Sequence, residues 1–151
     1  MKFPIKKYLT VKNFKEDYYL ELQKSFLSIN LSSLKKIISV LDKAYKNRNT
    51  KVIVCGNGGS AALADHFACD HQKILNEVNG LSPFVISLAS NGPLITAISN
   101  DRKYEHVFSD QIKQIGKSSD ILITISSSGK SKNIINAIKV AKKMSLKTIS
   151  L

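Results

Sequence analysis

Two patterns of hydrophobic positions divide the chain. From Asn13 to about Tyr45 the apolar residues recur every three or four positions, which predicts two amphipathic helices, the second beginning near Ser32. Beyond residue 50 the apolar residues form short continuous runs instead, which is typical of strands buried on both faces. Such runs predict strands at 52–55, 84–88, 121–125 and 148–151.

The segments between the predicted strands have helical patterns, at about 60–73, 94–99, 104–115 and 132–144. Alternating buried strands and helices predict an α/β fold, a three-layer, Rossmann-like parallel sheet. We divide the chain into a basic N-terminal lead (1–12), a helical prefix (13–49) and an α/β core (50–151). The sequence stops on its fourth strand, which implies either an unprotected sheet edge or a shortened form of a longer fold.

Composition excludes several classes of protein. The 151 residues include no apolar run of the ~20 residues that a membrane span needs, and the N-terminus lacks the apolar region of a secretory signal. Two cysteines, Cys55 and Cys69, fit a reducing cytoplasm better than a disulfide scaffold. The net charge of +12 raises nucleic-acid binding as an alternative. Because the lysines are scattered, we favour a solvated basic surface that suits an anionic small substrate.

A glycine-rich loop, residues 56–60, follows the first strand and opens a helix (the first loop). Its glycines let the backbone approach an anion, and free N–H groups at a helix start attract negative charge. The sequence Gly56-Asn57-Gly58-Gly59-Ser60-Ala61 also fits the dinucleotide fingerprint. The second strand ends without the acid that would bind a ribose, which argues against a nucleotide cofactor. A purely structural glycine turn remains an alternative.

A serine-rich loop, residues 126–131, follows the third strand (the second loop). Four hydroxyl groups surround a glycine there, from Ser126, Ser127, Ser128 and Ser131. Hydroxyls and main-chain amides together bind phosphate without a metal. One such loop is usually a turn with a helix cap, but two at neighbouring strand ends predict a phosphorylated ligand.

The helix after the first loop carries His66 and Asp70 at i and i+4, on one face. That spacing suits a divalent metal or a general base, and it equally suits a surface ion pair. Asn100 and Asp101 follow the second strand's helix, within reach of the strand ends.

These motifs resemble the sugar isomerase (SIS) domain family and, within it, the phosphoheptose isomerase group. The matching segments are CGNGGSAA (55–62), DHFACD (65–70), LITAISND (94–101), VFS (107–109) and DILITISSSGKS (120–131). The resemblance covers about residues 14–151. It implies a cytoplasmic aldose–ketose isomerase that converts sedoheptulose 7-phosphate to D-glycero-D-manno-heptose 7-phosphate through an enediol, for lipopolysaccharide or capsule synthesis.

The resemblance also implies residue roles. Ser126, Ser127, Ser128 and Ser131 would hold the phosphate, and Asn57, Gly58, Ser60, Asn100 and Asp101 would contact the sugar. Asp70 takes the place of the catalytic carboxylate. In zinc-containing members the positions of His66 and Asp70 bind one Zn²⁺ per site. The family is usually a homotetramer that packs through its N-terminal helices.

Three departures from the family pattern stand out. Asp70 replaces the usual Glu, Lys130 replaces the usual Asn, and the family continues beyond the point that Leu151 reaches. That continuation, a strand and a helix, carries a catalytic His and a Gln. These departures keep a rival hypothesis open: a non-catalytic SIS module that binds a sugar phosphate or a replication initiator protein.

Overall fold

The computed structural model describes residues 3–4, 6–79, 81 and 83–151. The chain forms two compact units, Met1–Ile38 and Ser39–Leu151. Residues 1, 2 and 5 of the predicted basic lead lie outside the described residues. The helices are α1 (Val11–Leu27), α2 (Leu31–Tyr45), α3 (Gly59–Asn79), α4 (Gly92–Asp101), α5 (Ser109–Ile115) and α6 (Lys132–Lys143). The strands are β1 (Lys51–Gly56), β2 (Phe84–Ser87), β3 (Ile121–Ile125) and β4 (Lys147–Ser150).

The four strands form a parallel sheet in the order β2-β1-β3-β4. This confirms the predicted α/β fold. Strands β1 and β3 lie at the centre, and every residue of β1 is buried, as its unbroken apolar run predicts. Gly56 pairs with Ile125, so the two loops that follow these strands begin side by side. The carboxyl edge of such a sheet is where α/β proteins bind ligands.

The core of the second unit joins the central strands to α5 and α6. Ile53 of β1 and Leu122 of β3 are fully buried. They share a cluster with the side chains of α5 and with one face of α6, where the buried residues are three and four positions apart: Ile134, Ala137 and Ala141. Each large side chain buried in this way contributes roughly 1.5–3 kcal/mol.

A buried ion pair ties the amino ends of β1 and β3 together. Lys51 Nζ lies 2.8 Å from Asp120 Oδ2, and the two side chains are 9% and 0% exposed. The same carboxylate accepts the main-chain N–H groups of Lys51 and Lys117, each at 2.8 Å. These donors compensate a charge that is otherwise costly to bury. The pair therefore fixes the central strands at the end opposite the two loops.

The N-terminal unit keeps much apolar surface exposed. Thr10 caps α1, because its Oγ1 accepts the N–H of Asn13 at 3.2 Å, yet α1 buries none of its side chains. Phe26 and Leu27 are 66% and 79% exposed. An exposed apolar patch of this kind marks a contact surface. No described helix is long and apolar enough to cross a membrane.

The helices differ in places from their predicted bounds: α1 begins at Val11, inside the predicted lead 1–12, and α4 extends beyond the predicted 94–99 at both ends. Two segments differ more. The segment 104–115 divides into a 3₁₀ turn, Tyr104–His106, and α5. Val107 and Phe108, at the break, are both almost fully buried. Consecutive residues of a regular helix point about 100° apart, so a bend allows both to enter the core. Helix α3 continues to Asn79 rather than ending near Lys73.

Candidate functional site

The first loop turns sharply from β1 into α3. Gly56 has no room for a side chain, since an added Cβ would lie 2.4 Å from the main-chain oxygen of Ser60. Gly58 has a φ of +54°, in the left-handed region that favours glycine. The N–H of Ser60 donates to the main-chain oxygen of Asn57 at 2.9 Å. The turn thus brings Asn57, Gly58 and Ser60 to the carboxyl end of the sheet.

The second loop is shaped by its own serine side chains. Ser126 Oγ accepts the N–H of Gly129, and Ser128 Oγ accepts the N–H of Lys130, both at 3.2 Å. Gly129 has a φ of +62°. The loop is also anchored beside β4, because the N–H of Ser126 donates to the main-chain oxygen of Leu151 at 2.9 Å. The four residues that follow Ser126 in the loop are exposed and therefore accessible to a ligand.

The hydroxyls of the second loop differ in their exposure. Ser127 and Ser128 are exposed, whereas Ser126 and Ser131 are half-buried. Ser131 directly precedes α6, and its side chain makes no capping hydrogen bond to that helix. Its hydroxyl is therefore free for a ligand at a helix N-terminus, where the dipole favours an anion.

A pair of amide side chains joins the first loop to the start of α6. Asn57 Nδ2 donates to Asn133 Oδ1 at 3.0 Å, and Asn133 Nδ2 donates to Asn57 Oδ1 at 2.7 Å. The hydroxyl of Tyr104 also donates to Asn57 Oδ1, at 3.0 Å. Asn133 is 3% exposed. The first loop, the start of α6 and the 3₁₀ turn are thus held together by three hydrogen bonds.

A cleft of about 420 Å³ lies beside this network. Asn57, Tyr104, Asn133 and Ser131 line it, so the structure brings one predicted residue from each loop to the same cleft. Lys103 and Lys132 also line it. The second of these is 3.9 Å from Glu105, an exposed and weak contact. Glu105 lines the cleft as well, so two ammonium groups and one carboxylate border it, and this excess of positive charge makes the cleft suitable for an anion.

His66 and Asp70 lie apart from that cleft, along α3. His66 Nε2 is 3.3 Å from Asp70 Oδ2, and the side chains are 72% and 42% exposed. At about 1.5 Å per residue, Asp70 is roughly 15 Å along the helix axis from Ser60. Asp70 borders a shallow depression of about 180 Å³ together with His71 and Ile74. Within one chain, the structure therefore does not bring this pair to the two loops.

Asn100 and Asp101 end α4 and border a different cleft. Asn100 Nδ2 donates to Asp101 Oδ1 at 3.0 Å. Asp101 lines a space of about 450 Å³ that also contains Arg102 and Lys113, both of which pair with Asp110. Burial would raise the pKa of Asp110, but the Lys113 hydrogen bond and the nearby positive charges outweigh it, so this pKa lies below its usual value.

Comparison with known sequences gives the family. The sequence model of the SIS domain matches residues 16–151. The chain belongs to the SIS domain family. It is 42% identical over 131 residues to a phosphoheptose isomerase of Helicobacter pylori (strain P12), covering 86% of this chain and 66% of that relative. It is 39% identical over 132 residues to a phosphoheptose isomerase of Thermodesulfovibrio yellowstonii, and this match covers 87% of this chain and 64% of that relative. The SIS-domain chain thus spans slightly less than two thirds of these curated relatives.

Solved structures with the same fold carry the same name. The SIS-domain chain superimposes on phosphoheptose isomerase GmhA from Neisseria gonorrhoeae with a TM-score of 0.81 and 29% identity, covering 93% of this chain and 74% of that one. For a phosphoheptose isomerase from Francisella tularensis the TM-score is 0.72 and the identity 30%, and the match covers 94% of this chain and 75% of that one.

Sequence reasoning missed five residues that this SIS domain places at the cleft: Lys103, Tyr104, Glu105, Lys132 and Asn133. Asn133 follows directly after the second loop, so its place near the strand ends was open to prediction. The contact to Asn57 was not, because it joins residues 76 positions apart. Tyr104 was assigned to a helical segment, 104–115, that the structure breaks, and Lys103 lies just before that segment.

Proposed function

We propose that this SIS-domain protein is an aldose–ketose isomerase acting on a phosphorylated sugar, converting sedoheptulose 7-phosphate to D-glycero-D-manno-heptose 7-phosphate. The observation that carries the proposal is that the two loops begin at neighbouring strand ends and that each supplies a residue, Asn57 and Ser131, to the same basic cleft. Relatives named phosphoheptose isomerase, in sequence and in structure, support this choice of substrate.

The second loop supplies the groups that a phosphate requires. Its hydroxyls at Ser126, Ser127, Ser128 and Ser131 donate hydrogen bonds to phosphate oxygens, and the N-terminus of α6 adds its dipole. Phosphate binding would use energy from a part of the substrate that does not react, and so hold the sugar carbons in position. Asn57, Gly58 and Ser60 would contact the sugar, with Asn100 and Asp101 near its polar end.

The reaction requires proton transfer between neighbouring carbons. A base removes the proton from the hydroxyl-bearing carbon next to the carbonyl while the carbonyl oxygen takes up a proton, which gives an enediol. A proton then returns to the former carbonyl carbon, and the hydroxyl on the neighbouring carbon loses its proton to become the new carbonyl. The atoms balance without net redox chemistry or a nucleotide cofactor. Asp70 is the proposed base, since its carboxylate is partly exposed and, among the described ion-pair contacts, lies close only to the imidazole of His66.

His66 and Asp70 also fit half of a zinc site. In a tetrahedral site with bonds of about 2.0–2.1 Å, two ligand atoms lie about 3.3 Å apart. The observed distance between His66 Nε2 and Asp70 Oδ2 is 3.3 Å. Among the described residues no third His, Cys, Asp or Glu joins them. When bound, Zn²⁺ would polarise a sugar oxygen.

The exposed apolar residues of α1 support association of copies of this chain. We propose a homotetramer that packs through the N-terminal helices, which would cover side chains such as Phe26 and Leu27. A shared site would also explain why His66 and Asp70 lie apart from the cleft of their own chain. The proposed setting is the cytoplasm, in synthesis of the heptose used for lipopolysaccharide or capsule.

The test is an isomerase assay on sedoheptulose 7-phosphate with the full-length gene product, with and without Zn²⁺. Asp70→Ala should lower kcat by a factor of about 100 or more, because it removes the base. Asp65→Ala is the matched control: Asp65 is an exposed carboxylate on the same helix, and its loss should leave kcat unchanged. Equal activity of the two variants would refute the role of Asp70.

A second candidate function is a non-catalytic SIS module that binds a sugar phosphate or a replication initiator protein. The observation that favours it is the distance between the phosphate loops and the His66–Asp70 pair within one chain. If sedoheptulose 7-phosphate raises the Tm but is not converted, and Asp70→Ala preserves that rise, the binding module is the better description.

A further inference from the structure

A main-chain N–H on α6 fixes the orientation of the Asn133 side-chain amide and, through it, that of Asn57. The N–H of Ile134 donates to Asn133 Oδ1 at 3.0 Å. A main-chain N–H can only donate, so the atom that it contacts must be the oxygen of the Asn133 amide. This removes the ambiguity between oxygen and nitrogen that usually affects such side chains.

The orientation of Asn133 then determines that of Asn57. With its oxygen turned toward Ile134, Asn133 presents Nδ2 to Asn57 Oδ1 and accepts Asn57 Nδ2 in return, at 2.7 and 3.0 Å. Asn57 Oδ1 receives a second donor, the Tyr104 hydroxyl, at 3.0 Å. Both acceptor positions of that oxygen are therefore filled.

One group of Asn57 remains for a ligand. Its Nδ2 carries two hydrogens, and the exchange with Asn133 uses one of them. Asn57 lines the cleft and is only half-buried. With its oxygen saturated, the side chain can offer the cleft a hydrogen-bond donor and cannot offer an acceptor.

We propose that Asn133 and Tyr104 are positioning residues that make Asn57 an obligatory hydrogen-bond donor to a sugar oxygen. This inference rests on the proposed function and goes beyond it, because it assigns a chemical role to Asn57 and a reason for Asn133 to be buried. It also makes the position selective: a carbonyl or hydroxyl oxygen of the ligand fits there, and a group that can only donate does not.

The kinetic test is a double-mutant cycle on kcat/KM for sedoheptulose 7-phosphate. Asn133→Ala should lower kcat/KM about tenfold, and Tyr104→Phe about two- to tenfold, because each removes donors that hold Asn57. In an Asn57→Ala background, both changes should have less than about a twofold further effect. Fully additive losses would show that Asn133 and Tyr104 act independently of Asn57 and would overturn the proposal.

The matched control is Asn136→Ala. Asn136 lies on the same helix and donates to the main-chain oxygen of Glu105 at 3.0 Å, without touching Asn57. Any effect of Asn136→Ala on kcat/KM should be the same in the wild-type and the Asn57→Ala backgrounds. Tyr104→Phe guards against loss of folding, because Tyr104 is 53% exposed and the change keeps its ring.

A measurement without substrate separates this inference from the proposed function. In ¹⁵N-correlated NMR spectra, Tyr104→Phe should shift the side-chain amide signals of Asn57 and Asn133, whereas Asn136→Ala should leave them in place. If the signals shift but the wild type neither binds nor converts the phosphosugar, the proposed function fails and the network stands. If Tyr104→Phe leaves both signals unmoved, the inference fails whatever the assay shows.

Discussion

Replacing Asp120 with alanine tests how strongly burial controls the energy of an ion pair in this fold. Asp120 is fully buried and accepts three donors at 2.8 Å: the Lys51 ammonium and two main-chain N–H groups. Asp120→Ala leaves that ammonium, which is 9% exposed, without its carboxylate partner. Removing one partner of a buried pair costs about 3–5 kcal/mol.

That cost is a large part of the stability of a small domain, which is about 5–15 kcal/mol. For a chain of this size it corresponds to a fall in Tm of about 6–20 °C. The assay is guanidinium unfolding followed by circular dichroism, with Tm as a second measure. Lys51→Met combined with Asp120→Ala should recover part of the loss, because the unpaired charge is then removed as well.

The chain offers a matched control with the same geometry and different burial. Lys46 Nζ also lies 2.8 Å from a carboxylate, that of Asp42, but these side chains are 63% and 51% exposed. Asp42→Ala should therefore cost less than about 0.5 kcal/mol. If Asp42→Ala and Asp120→Ala destabilise the protein equally, or if Asp120→Ala costs under about 1 kcal/mol, the reasoning from burial is refuted.

Two further predictions concern the first loop and the thiols. Gly56→Ala should destabilise the protein and weaken phosphosugar binding, because the added Cβ would lie 2.4 Å from a main-chain oxygen. Gly59→Ala adds its Cβ to open space, so it should leave the free energy of unfolding nearly unchanged. Equal losses in the two variants would contradict this. Burial raises the pKa of the Cys55 thiol to about 12, so at pH 8 iodoacetamide should alkylate the exposed Cys69 and spare Cys55 in the folded protein. Mass spectrometry of peptides measures the extent of alkylation at each cysteine. Rapid labelling of Cys55 would contradict the prediction and show that the core opens readily.

Local patterns were sufficient to predict the sheet. The run at 52–55 is apolar throughout, and the run at 121–125 has one polar position, Thr124. Short continuous apolar runs of this kind are typical of a strand that is covered on both faces. The glycines and serines after them follow from the need for a turn at each strand end. The positions of the two loops in the sequence, and their lying next to each other at the sheet edge, could therefore be predicted from local patterns.

Long-range polar contacts were not predictable. Asn133 lies in the first turn of a helix, where an asparagine usually caps the helix or faces water. It is buried because Asn57, 76 positions earlier, meets it across two strand ends. Lys51 and Asp120 pair in the same way over 69 positions. In each case the partner is chosen by strand register, which no local pattern specifies.

Strands β1 and β3 are thus joined by polar side chains at both ends. At the amino end, Lys51 and Asp120 form the buried ion pair, and at the carboxyl end Asn57 and Asn133 exchange hydrogen bonds. Lys51 and Asn57 are six residues apart along β1 and the residue after it, about 20 Å at 3.3 Å per residue. Changes at such separated sites usually add within about 0.5 kcal/mol.

We therefore expect the free energies of unfolding of Asp120→Ala and Asn133→Ala to add in the double variant. Asp120→Ala should also leave the affinity for the phosphosugar unchanged under conditions where the variant is folded, because the loops keep their own contacts at the carboxyl end. Unfolding curves and isothermal titration calorimetry measure the two quantities. A coupling above about 1 kcal/mol, or a weakened affinity in folded Asp120→Ala, would mean that the register of the sheet, rather than the amide pair, positions the site.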